Sequence, residues 1–338
     1  MKVSDFDFYL PQNLIAQTPL EKREESKLMV INRKDNQLTH QHFSNIIDYF
    51  DENDVLIINN SKVLPARLHG IKESTNAHIE ILLLKEIKKD IWEVLVKPAR
   101  RVSVGTIVFF SNELSLEILE TKQQGLATAK LIYQGILIEI LESLGEMPLP
   151  PYIKEKLSDN NRYQTVYAKI LGSAAAPTAG FHFTEDILSE LRKKNVEILE
   201  ITLHVGLATF RPVSVSNVLE HQMHEEIYTI DEKTVNQLNQ AMKLNKRITA
   251  VGTTTVRALE SNYTNKFNAG TFATSIFIYP GYQFRVIDHI ITNFHLPKST
   301  LLMLVSAFYE KDNILRAYQE AIKHNYRFFS FGDSMLIY

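Results

Sequence analysis

Cysteine is absent from the 338 residues of this chain. Disulfide bonds, a thiolate nucleophile, cysteine-bound zinc and iron–sulfur clusters are therefore excluded. An excess of charge of one sign is also missing, because 37 lysines and arginines nearly balance 39 aspartates and glutamates. The net charge of −2 excludes a uniformly basic protein, although a local basic patch would suffice to bind phosphates.

Long apolar runs are missing as well. No stretch approaches the roughly 18 uncharged apolar residues of a membrane-spanning helix. Residues 1–10 carry Asp5 and Asp7 where a secretory signal would have an apolar core. We therefore expect a cytoplasmic protein without a membrane segment. Two nucleotide-binding motifs, Gly-x-Gly-x-x-Gly after a strand and Gly-x-x-x-x-Gly-Lys-Ser/Thr, are absent too.

The residues that are present divide the chain into stretches of different pattern. The run Val55–Ile58 predicts a buried strand. Within 66–142, short runs rich in β-branched and aromatic residues alternate with turn residues, which favours a small β-barrel or sandwich. Further along, helical and strand patterns alternate: helices at Asp186–Lys194, Glu232–Leu244, from Thr254 and at Asn313–Asn325, with strands at Val196–Val205 and Arg247–Val251. We therefore predict an α/β fold, with a discontinuous main domain (1–64 and 150–338) interrupted by a β-barrel insertion domain (65–149).

The segment Gly172–Thr184 is the first candidate for a functional site. Its small residues would let a ligand approach the backbone, and Thr184 is typical of a helix N-cap. We take Thr178 and Gly180 as candidate substrate-binding residues and His182 as a candidate acid–base residue. The alternative, an ordinary loop with one buried histidine, stays open.

Two further candidates follow predicted strands, where open α/β sheets usually bind ligands. One contains His204 and Gly206, although a single histidine there is more often a core residue. The other is a glycine turn leading into a helix, whose free N–H groups, Thr253, Thr254 and Arg257 would favour an anion. A threonine N-cap with a solvated arginine is the competing interpretation. A polar loop between apolar runs contributes three more candidates: Asn293, His295 and Lys298.

His221 and His224 invite a metal-site interpretation, since they lie three residues apart. No His-Glu-x-x-His motif is present, however, and no third ligand is indicated, so we expect no metal. Glu225, which follows them, is a candidate acid–base residue.

Basic residues form local clusters that could contact RNA phosphates: Lys62, Arg67, Lys97, Arg100 and Arg101, and then Lys154, Lys156 and Arg162. The second cluster lies among Tyr152, Tyr163 and Tyr167, and aromatic rings beside basic groups can stack on bases. The alternative for both clusters is a solvated surface.

Ten ordered segments of this chain match a known family. They are Asp5–Pro11, Ile15–Arg23, Val63–Arg67, Met147–Ile153, Arg162–Ala168, Pro177–His182, His204–Phe210, Val251–Arg257, Asn293–Thr300 and Tyr326–Asp333. On these segments the chain closely resembles the S-adenosylmethionine:tRNA ribosyltransferase-isomerases of queuosine biosynthesis. One departure is Ala208, where the family usually has a second glycine, and the replacement bears on that loop if a positive φ is needed.

The resemblance implies a transferase and isomerase that is a cytoplasmic monomer, with an α/β domain interrupted by a β-barrel. It implies transfer of the ribosyl part of S-adenosylmethionine to 7-aminomethyl-7-deazaguanine at the wobble position of tRNA. The products would be epoxyqueuosine-tRNA, adenine and methionine. S-adenosylmethionine would be a substrate, and no metal or separate cofactor would be needed.

Such a reaction needs groups that carry protons near neutral pH, and imidazole suits this task. We expect His182 and His204 to do so, with His295 and Glu225 as reserves. Two rival functions remain open at this point. An RNA methyltransferase would produce S-adenosylhomocysteine, and a non-catalytic RNA-binding module would depend on the β insertion.

Overall fold

The computed structural model describes residues 1–155, 157, 159–206 and 213–338. Their contacts divide the chain into two compact units. The main unit comprises Met1–Ser61, Pro151–Ile170 and Pro177–Tyr338, and the second comprises Lys62–Pro150 with Leu171–Ala176. None of the helices within the described ranges is long and apolar enough to cross a membrane.

The strands and helices are numbered in chain order. The strands are β1 (Lys27–Asn32), β2 (Gln37–His42), β3 (Asp54–Asn59), β4 (Ser61–Val63), β5 (Arg67–Lys72), β6 (His78–Lys88), β7 (Ile91–Lys97), β8 (Ile107–Phe109), β9 (Leu114–Thr121), β10 (Leu126–Tyr133), β11 (Ile170–Ser173), β12 (Glu197–Leu203), β13 (Glu226–Ile230), β14 (Arg247–Val251), β15 (Gly270–Thr274), β16 (His289–Asn293) and β17 (Ser334–Ile337). The helices are α1 (Leu137–Leu144), α2 (Glu185–Lys193), α3 (Glu232–Lys243), α4 (Thr253–Asn262), α5 (Thr300–Tyr309) and α6 (Lys311–Lys323).

A sheet of nine described strands runs through the main unit in the order β15-β13-β12-β3-β14-β16-β17-β1-β2. Four central strands, β12, β3, β14 and β16, are parallel to one another. The residues of β3 are buried throughout, as expected for a parallel strand covered on both faces. Because the four strands are parallel, their carboxyl ends share one edge of the sheet, which is the usual ligand-binding edge of such folds.

Helix α2 shows how local sequence and packing agree. The Thr184 hydroxyl accepts a hydrogen bond from the Ile187 N–H at 3.2 Å, which confirms the predicted N-cap. The apolar face of α2, formed by Ile187, Leu188 and Leu191, joins Leu56 of β3 in one buried cluster. Burying each of these side chains stabilises the fold by about 1.5–3 kcal/mol, so this face holds the helix on the sheet.

The second unit contains a closed barrel with the strand order β10-β7-β6-β5-β8-β9. Residues alternate along β7, where Trp92, Val94 and Val96 are buried and their neighbours are more exposed. Gly70 of β5 lies where β8 approaches closely, since an added Cβ would be 2.6 Å from the Phe109 carbonyl oxygen. Glycine is therefore needed at this point of the barrel.

The predicted fold class, an α/β domain interrupted by a small β-barrel, is confirmed. Most predicted elements end within a residue or two of the observed bounds, but α1 and α5 were missed. Helix α5 is apolar on nearly all sides, so it lacks the amphipathic period that reveals a helix. Leu171–Ala176, which we placed in the main domain, groups with the second unit, where Leu64 donates its N–H to the Ser173 carbonyl.

Candidate active site

Several of the predicted site residues follow the carboxyl ends of the central strands. His204 follows β12, Gly252 follows β14, and Asn293 is the last residue of β16. Neighbouring strands lie about 4.8 Å apart, so β12 and β16, with two strands between them, are separated by roughly 14 Å. A ligand that contacts both His204 and Asn293 must therefore extend along this edge of the sheet.

His182 is buried within a hydrogen-bond chain. Its Nε2 accepts from the Asn293 amide nitrogen at 3.1 Å, and its Nδ1 lies 2.7 Å from the Ser26 hydroxyl. Ser26 in turn donates to the Arg23 carbonyl oxygen at 3.0 Å. The same Asn293 nitrogen donates to the Phe329 carbonyl oxygen, which supports this amide orientation. The chain therefore places a proton on Nδ1 of His182 and leaves Nε2 as the acceptor.

The environment of His182 disfavours its charged form. Burial, with the positive charges of Arg23 and Arg327 nearby, lowers the pKa of His182 from its ordinary 6.5 to about 3. The imidazole is therefore neutral near pH 7. A neutral ring can accept a proton, and once protonated it returns that proton readily.

His182 lies at the wall of a small cleft in the main unit, with a volume of about 30 Å³. The lining combines basic, hydroxyl and aromatic groups: Pro19, Leu20, Arg23, Ser26, Arg162, Phe181, His182, Ser330, Phe331 and Gly332. The rings of Phe181 and Phe331 are stacked, with centroids 6.0 Å apart. Both rings are buried, so the groups that the cleft offers to a ligand are polar ones, and its two guanidinium groups suit an anion.

The guanidinium of Arg23 is held by the backbone. It donates to the carbonyl oxygens of Gln164 at 2.9 Å and Phe181 at 3.2 Å. Arg162 donates to the carbonyl oxygens of Leu20 and Glu21, while its buried Nε has no partner among the described residues. These bonds fix both positive charges beside the cleft, so an anion entering it would meet preorganised donors.

His204 is half-buried at the neighbouring part of the sheet edge. Its backbone N–H donates to the Ile227 carbonyl oxygen at 3.1 Å, which fixes its position beside β13. Its Nδ1 is buried and has no hydrogen-bond partner in the described part of the chain. Burial lowers the pKa of His204.

Three of the remaining candidates are Thr178 and two residues of the loop after β16, His295 and Lys298. Thr178 donates its hydroxyl to the Asn293 side-chain oxygen at 3.4 Å, so it belongs to the His182 chain. His295 is buried and its Nε2 is bonded to the Thr292 hydroxyl at 3.0 Å. Lys298 is about half exposed and forms an ion pair with Asp7 at 2.8 Å. Of these three, only Thr178 hydrogen-bonds to a partner of His182 among the contacts described.

Arg257 faces the interior rather than an anion site. Its guanidinium forms an ion pair with Glu226 at 2.5 Å and donates through Nε to the Ile276 carbonyl oxygen at 3.1 Å. Both side chains of the ion pair are almost fully buried. Glu225, the predicted acid–base residue, is exposed instead. The hypothesis that Arg257 favours an anion therefore needs revision, because its charge is already neutralised within the fold.

The small residues have varied surroundings. Thr253 and Thr254 are buried at the start of α4, and Gly252 before them has a φ of 88°, which favours glycine. Gly180 packs directly under the Tyr167 ring, where an added Cβ would collide with the hydroxyl, so the chain's own packing accounts for this glycine. Gly206 has open space around its Cα. Ala208 lies outside the described residues.

The first cluster of basic residues predicted to contact RNA lies in the second unit, whereas Lys154 and Arg162 belong to the main unit and Lys156 lies outside the described residues. Arg67 of β5 forms an ion pair with Glu80 at 3.3 Å. Lys97, Arg100 and Arg101 are exposed where β7 leads into a short 3-10 turn. Within the described ranges these three side chains have no ion-pair partner, so together they present uncompensated positive charge to solvent.

The prediction that Tyr163 stacks on RNA is wrong. Its side chain is fully buried, and its ring packs edge-on against Phe181 and Phe331. A base cannot reach a ring that has no exposed face. Tyr163 instead supports the aromatic wall of the cleft from behind.

The sequence analysis missed most of the cleft lining: Arg23, Ser26, Phe181, Ser330, Phe331 and Gly332. Arg23 and the segment around Ser330 lie in two of the ten motif segments, which was the available signal. The histidine pair considered as metal ligands lies elsewhere. Among the described residues, His221 and His224 belong to no group of three potential ligands.

The fold, with candidate site residues at the carboxyl edge of its parallel strands, is that of an α/β enzyme with a polar cleft backed by aromatic side chains. A family model described as queuosine biosynthesis protein matches residues 3–337. The chain is also 37% identical to the S-adenosylmethionine tRNA ribosyltransferase of Thermotoga maritima, known from a crystal structure at 2.00 Å resolution. That match covers 99% of this chain and 100% of the other, with a TM-score of 0.57. The chain belongs to the queuosine biosynthesis protein family and is a transferase, which confirms the resemblance seen in the motifs.

Proposed function

We propose that this enzyme transfers and isomerises the ribosyl part of S-adenosylmethionine onto 7-aminomethyl-7-deazaguanine at the tRNA wobble position. The products are epoxyqueuosine-tRNA, adenine and methionine. The observation that carries this proposal is the similarity, along nearly the whole chain, to a protein titled S-adenosylmethionine tRNA ribosyltransferase. In this proposal the enzyme acts as a cytoplasmic monomer and uses S-adenosylmethionine as a substrate, without a metal or cofactor in catalysis.

The cleft chemistry supports a substrate with an anionic group. The guanidinium groups of Arg23 and Arg162 both lie in the cleft lining. An anionic part of either substrate, the methionyl carboxylate or an RNA phosphate, would pair with these arginines. We therefore assign the anion-binding role to Arg23 and Arg162 instead of Arg257.

Three proton movements define what the side chains must do. A base takes the proton from a carbon next to the sulfonium, whose charge acidifies that carbon. An acid delivers a proton to a ring nitrogen of adenine as its bond to the ribose breaks. The aminomethyl group gives up a proton, so that its lone pair can attack.

We assign these steps to His182 and His204. The neutral His182 ring is a strong acid once protonated, because its pKa is low, which suits delivery of a proton to the leaving adenine. His204 has an unpartnered buried Nδ1 within the described structure, which suits direct contact with the substrate. His295 and Glu225 receive no proton-transfer role, since one is bonded to Thr292 and the other is exposed.

Isotope labelling tests the reaction class. Tritium in the ribose of S-adenosylmethionine should enter a tRNA that carries the aminomethyl base, and free adenine and methionine should appear in equal amounts. Tritium in the methyl group should stay with methionine. Methyl label in the tRNA, with S-adenosylhomocysteine as the second product, would instead establish a methyltransferase. Binding without any turnover would favour the RNA-binding module.

Salt dependence tests the RNA surface. If Lys97, Arg100 and Arg101 contact phosphates, each contact adds about 0.7–0.9 to the slope of log affinity against log salt. Changing all three to glutamine should flatten the slope by about the sum of these contributions in a filter-binding or anisotropy titration. The matched control changes the exposed Lys85, Lys88 and Lys89 of the same barrel, removing equal charge. An unchanged slope in the first variant, or equal flattening in both, would reject this surface.

A further inference from the structure

Three potential metal ligands meet at the surface of the main unit, outside the cleft lining. His40 belongs to β2, whereas Glu320 and His324 lie one turn apart on α6 and just after it. Their ligand atoms all lie within 4.8 Å of one another, and no other such group occurs among the described residues. The two imidazole rings are stacked with centroids 4.2 Å apart, and His324 Nε2 lies 3.0 Å from Glu320 Oε1.

His40 is oriented by a partner behind it. Its Nδ1 lies 2.9 Å from the Tyr326 hydroxyl, and that hydroxyl donates to the Leu28 carbonyl oxygen at 3.4 Å. When the hydroxyl proton points to the Leu28 carbonyl oxygen, the hydroxyl accepts from Nδ1–H of His40. The lone pair of His40 is then on Nε2. A histidine whose second nitrogen donates to a fixed acceptor is the usual arrangement in metal sites.

Neighbouring positive charges lower the affinity of this cluster for a cation, but they leave its ligand atoms accessible. The Lys323 ammonium lies 3.2 Å from Glu320 Oε2, but its side chain is largely exposed and can move away. The Lys27 ammonium donates to the carbonyl oxygens of His324 and Asn325 at the end of α6. One carboxylate and two neutral imidazoles therefore face a bound cation together with two lysines, which predicts moderate rather than very tight binding.

We propose that His40, Glu320 and His324 form a binding site for a divalent transition-metal ion of the Zn²⁺ or Ni²⁺ type. Two imidazoles and one carboxylate suit these ions, whereas Mg²⁺ and Ca²⁺ prefer oxygen ligands throughout. Zn–N bonds of about 2.0–2.1 Å place tetrahedral ligand atoms roughly 3.3 Å apart, so on binding the ligand atoms move closer and the stacked rings of His40 and His324 turn until both lone pairs point at the ion. His324 then holds its proton on Nδ1 and presents Nε2, and water completes the coordination.

The site has a structural consequence. A bound ion ties the end of α6 to β2 immediately before Tyr326, where the chain turns back toward the cleft residues Ser330 and Phe331. The Asp333 carboxylate anchors the far end of this segment through the N–H groups of Lys27 and Arg327. The metal therefore stabilises the segment that leads from Tyr326 to the cleft residues. It takes no part in the proposed transfer reaction.

Titration of the full-length, untagged protein with Zn²⁺ tests the site. Calorimetry should give one equivalent in the unaltered chain, and Co²⁺ should give the visible absorption of a nitrogen- and oxygen-ligated ion. His40→Gln, Glu320→Gln and His324→Gln should each weaken binding by at least about 10-fold. The control His69→Gln alters another exposed histidine beside a glutamate, Glu146 at 3.3 Å, and should leave binding unchanged.

A second measurement separates a metal site from a structural role of the histidines. Tyr326→Phe removes the acceptor behind His40 and should weaken Zn²⁺ binding by about 10-fold. Chelators should lower the Tm of the Zn²⁺-loaded chain but leave turnover intact. Unchanged Zn²⁺ affinity in the His40 or His324 variant, or an equal loss in the His69 variant, would overturn the proposal.

Discussion

Replacing His182 or His204 with glutamine should lower turnover by about 10²–10⁴-fold while the protein still folds, because each loses a group that carries a proton. Glutamine can accept from Asn293 and donate to Ser26, so the hydrogen-bond chain around position 182 can persist. Single-turnover release of adenine measures the effect. His289→Gln is the control, since His289 lies at the opposite end of β16 from Asn293.

The pH profile distinguishes the two histidines from each other. His182, with a pKa of about 3 in the free enzyme, should produce no ionisation in kcat/KM between pH 5 and 8. Any loss of activity as pH falls within this range then belongs to another group, with His204 the first candidate because burial lowers its pKa below the ordinary value. Near-normal turnover in either glutamine variant would return that histidine to a packing role.

Arg257→Ala should destabilise the fold by about 3–5 kcal/mol, since it removes the arginine that neutralises the buried Glu226 carboxylate. Chemical denaturation of the intact chain measures the free energy of unfolding. The double variant Arg257→Leu with Glu226→Leu should recover much of the loss, because no charge then remains buried. Lys193→Ala, which breaks an exposed ion pair with Glu190, should change stability little.

The same variant decides between two roles for Arg257. A stable Arg257→Ala protein with a raised KM for S-adenosylmethionine and unchanged tRNA affinity would restore the anion-binding role expected from the sequence, with the methionyl carboxylate as the anion. Under the assignment made from the structure, Arg23→Ala is the variant that raises the KM. Decarboxylated S-adenosylmethionine then tests whether the lost partner is the carboxylate.

Much of the architecture follows from short-range pattern. The strand Arg247–Val251 and the N-cap at Thr184 occur where the sequence predicts them, because hydrophobic period and capping chemistry are local. The ordered motif segments were sufficient to identify the family. Helix α5 was missed for the same reason, since a helix buried on nearly every side carries no period to detect.

The sequence by itself determined the fold class, the family and the residues at the carboxyl ends of the parallel strands. Only the tertiary structure decided which of those residues face a ligand. Arg257 meets Glu226, Tyr163 is enclosed by Phe181 and Phe331, and His40 lies beside a helix nearly 300 residues further along. A local pattern reports whether a side chain points inward or outward, whereas its partner depends on which distant segments pack against it. Burial and the neighbouring charges then set its pKa, so chemical role is a property of the packed chain.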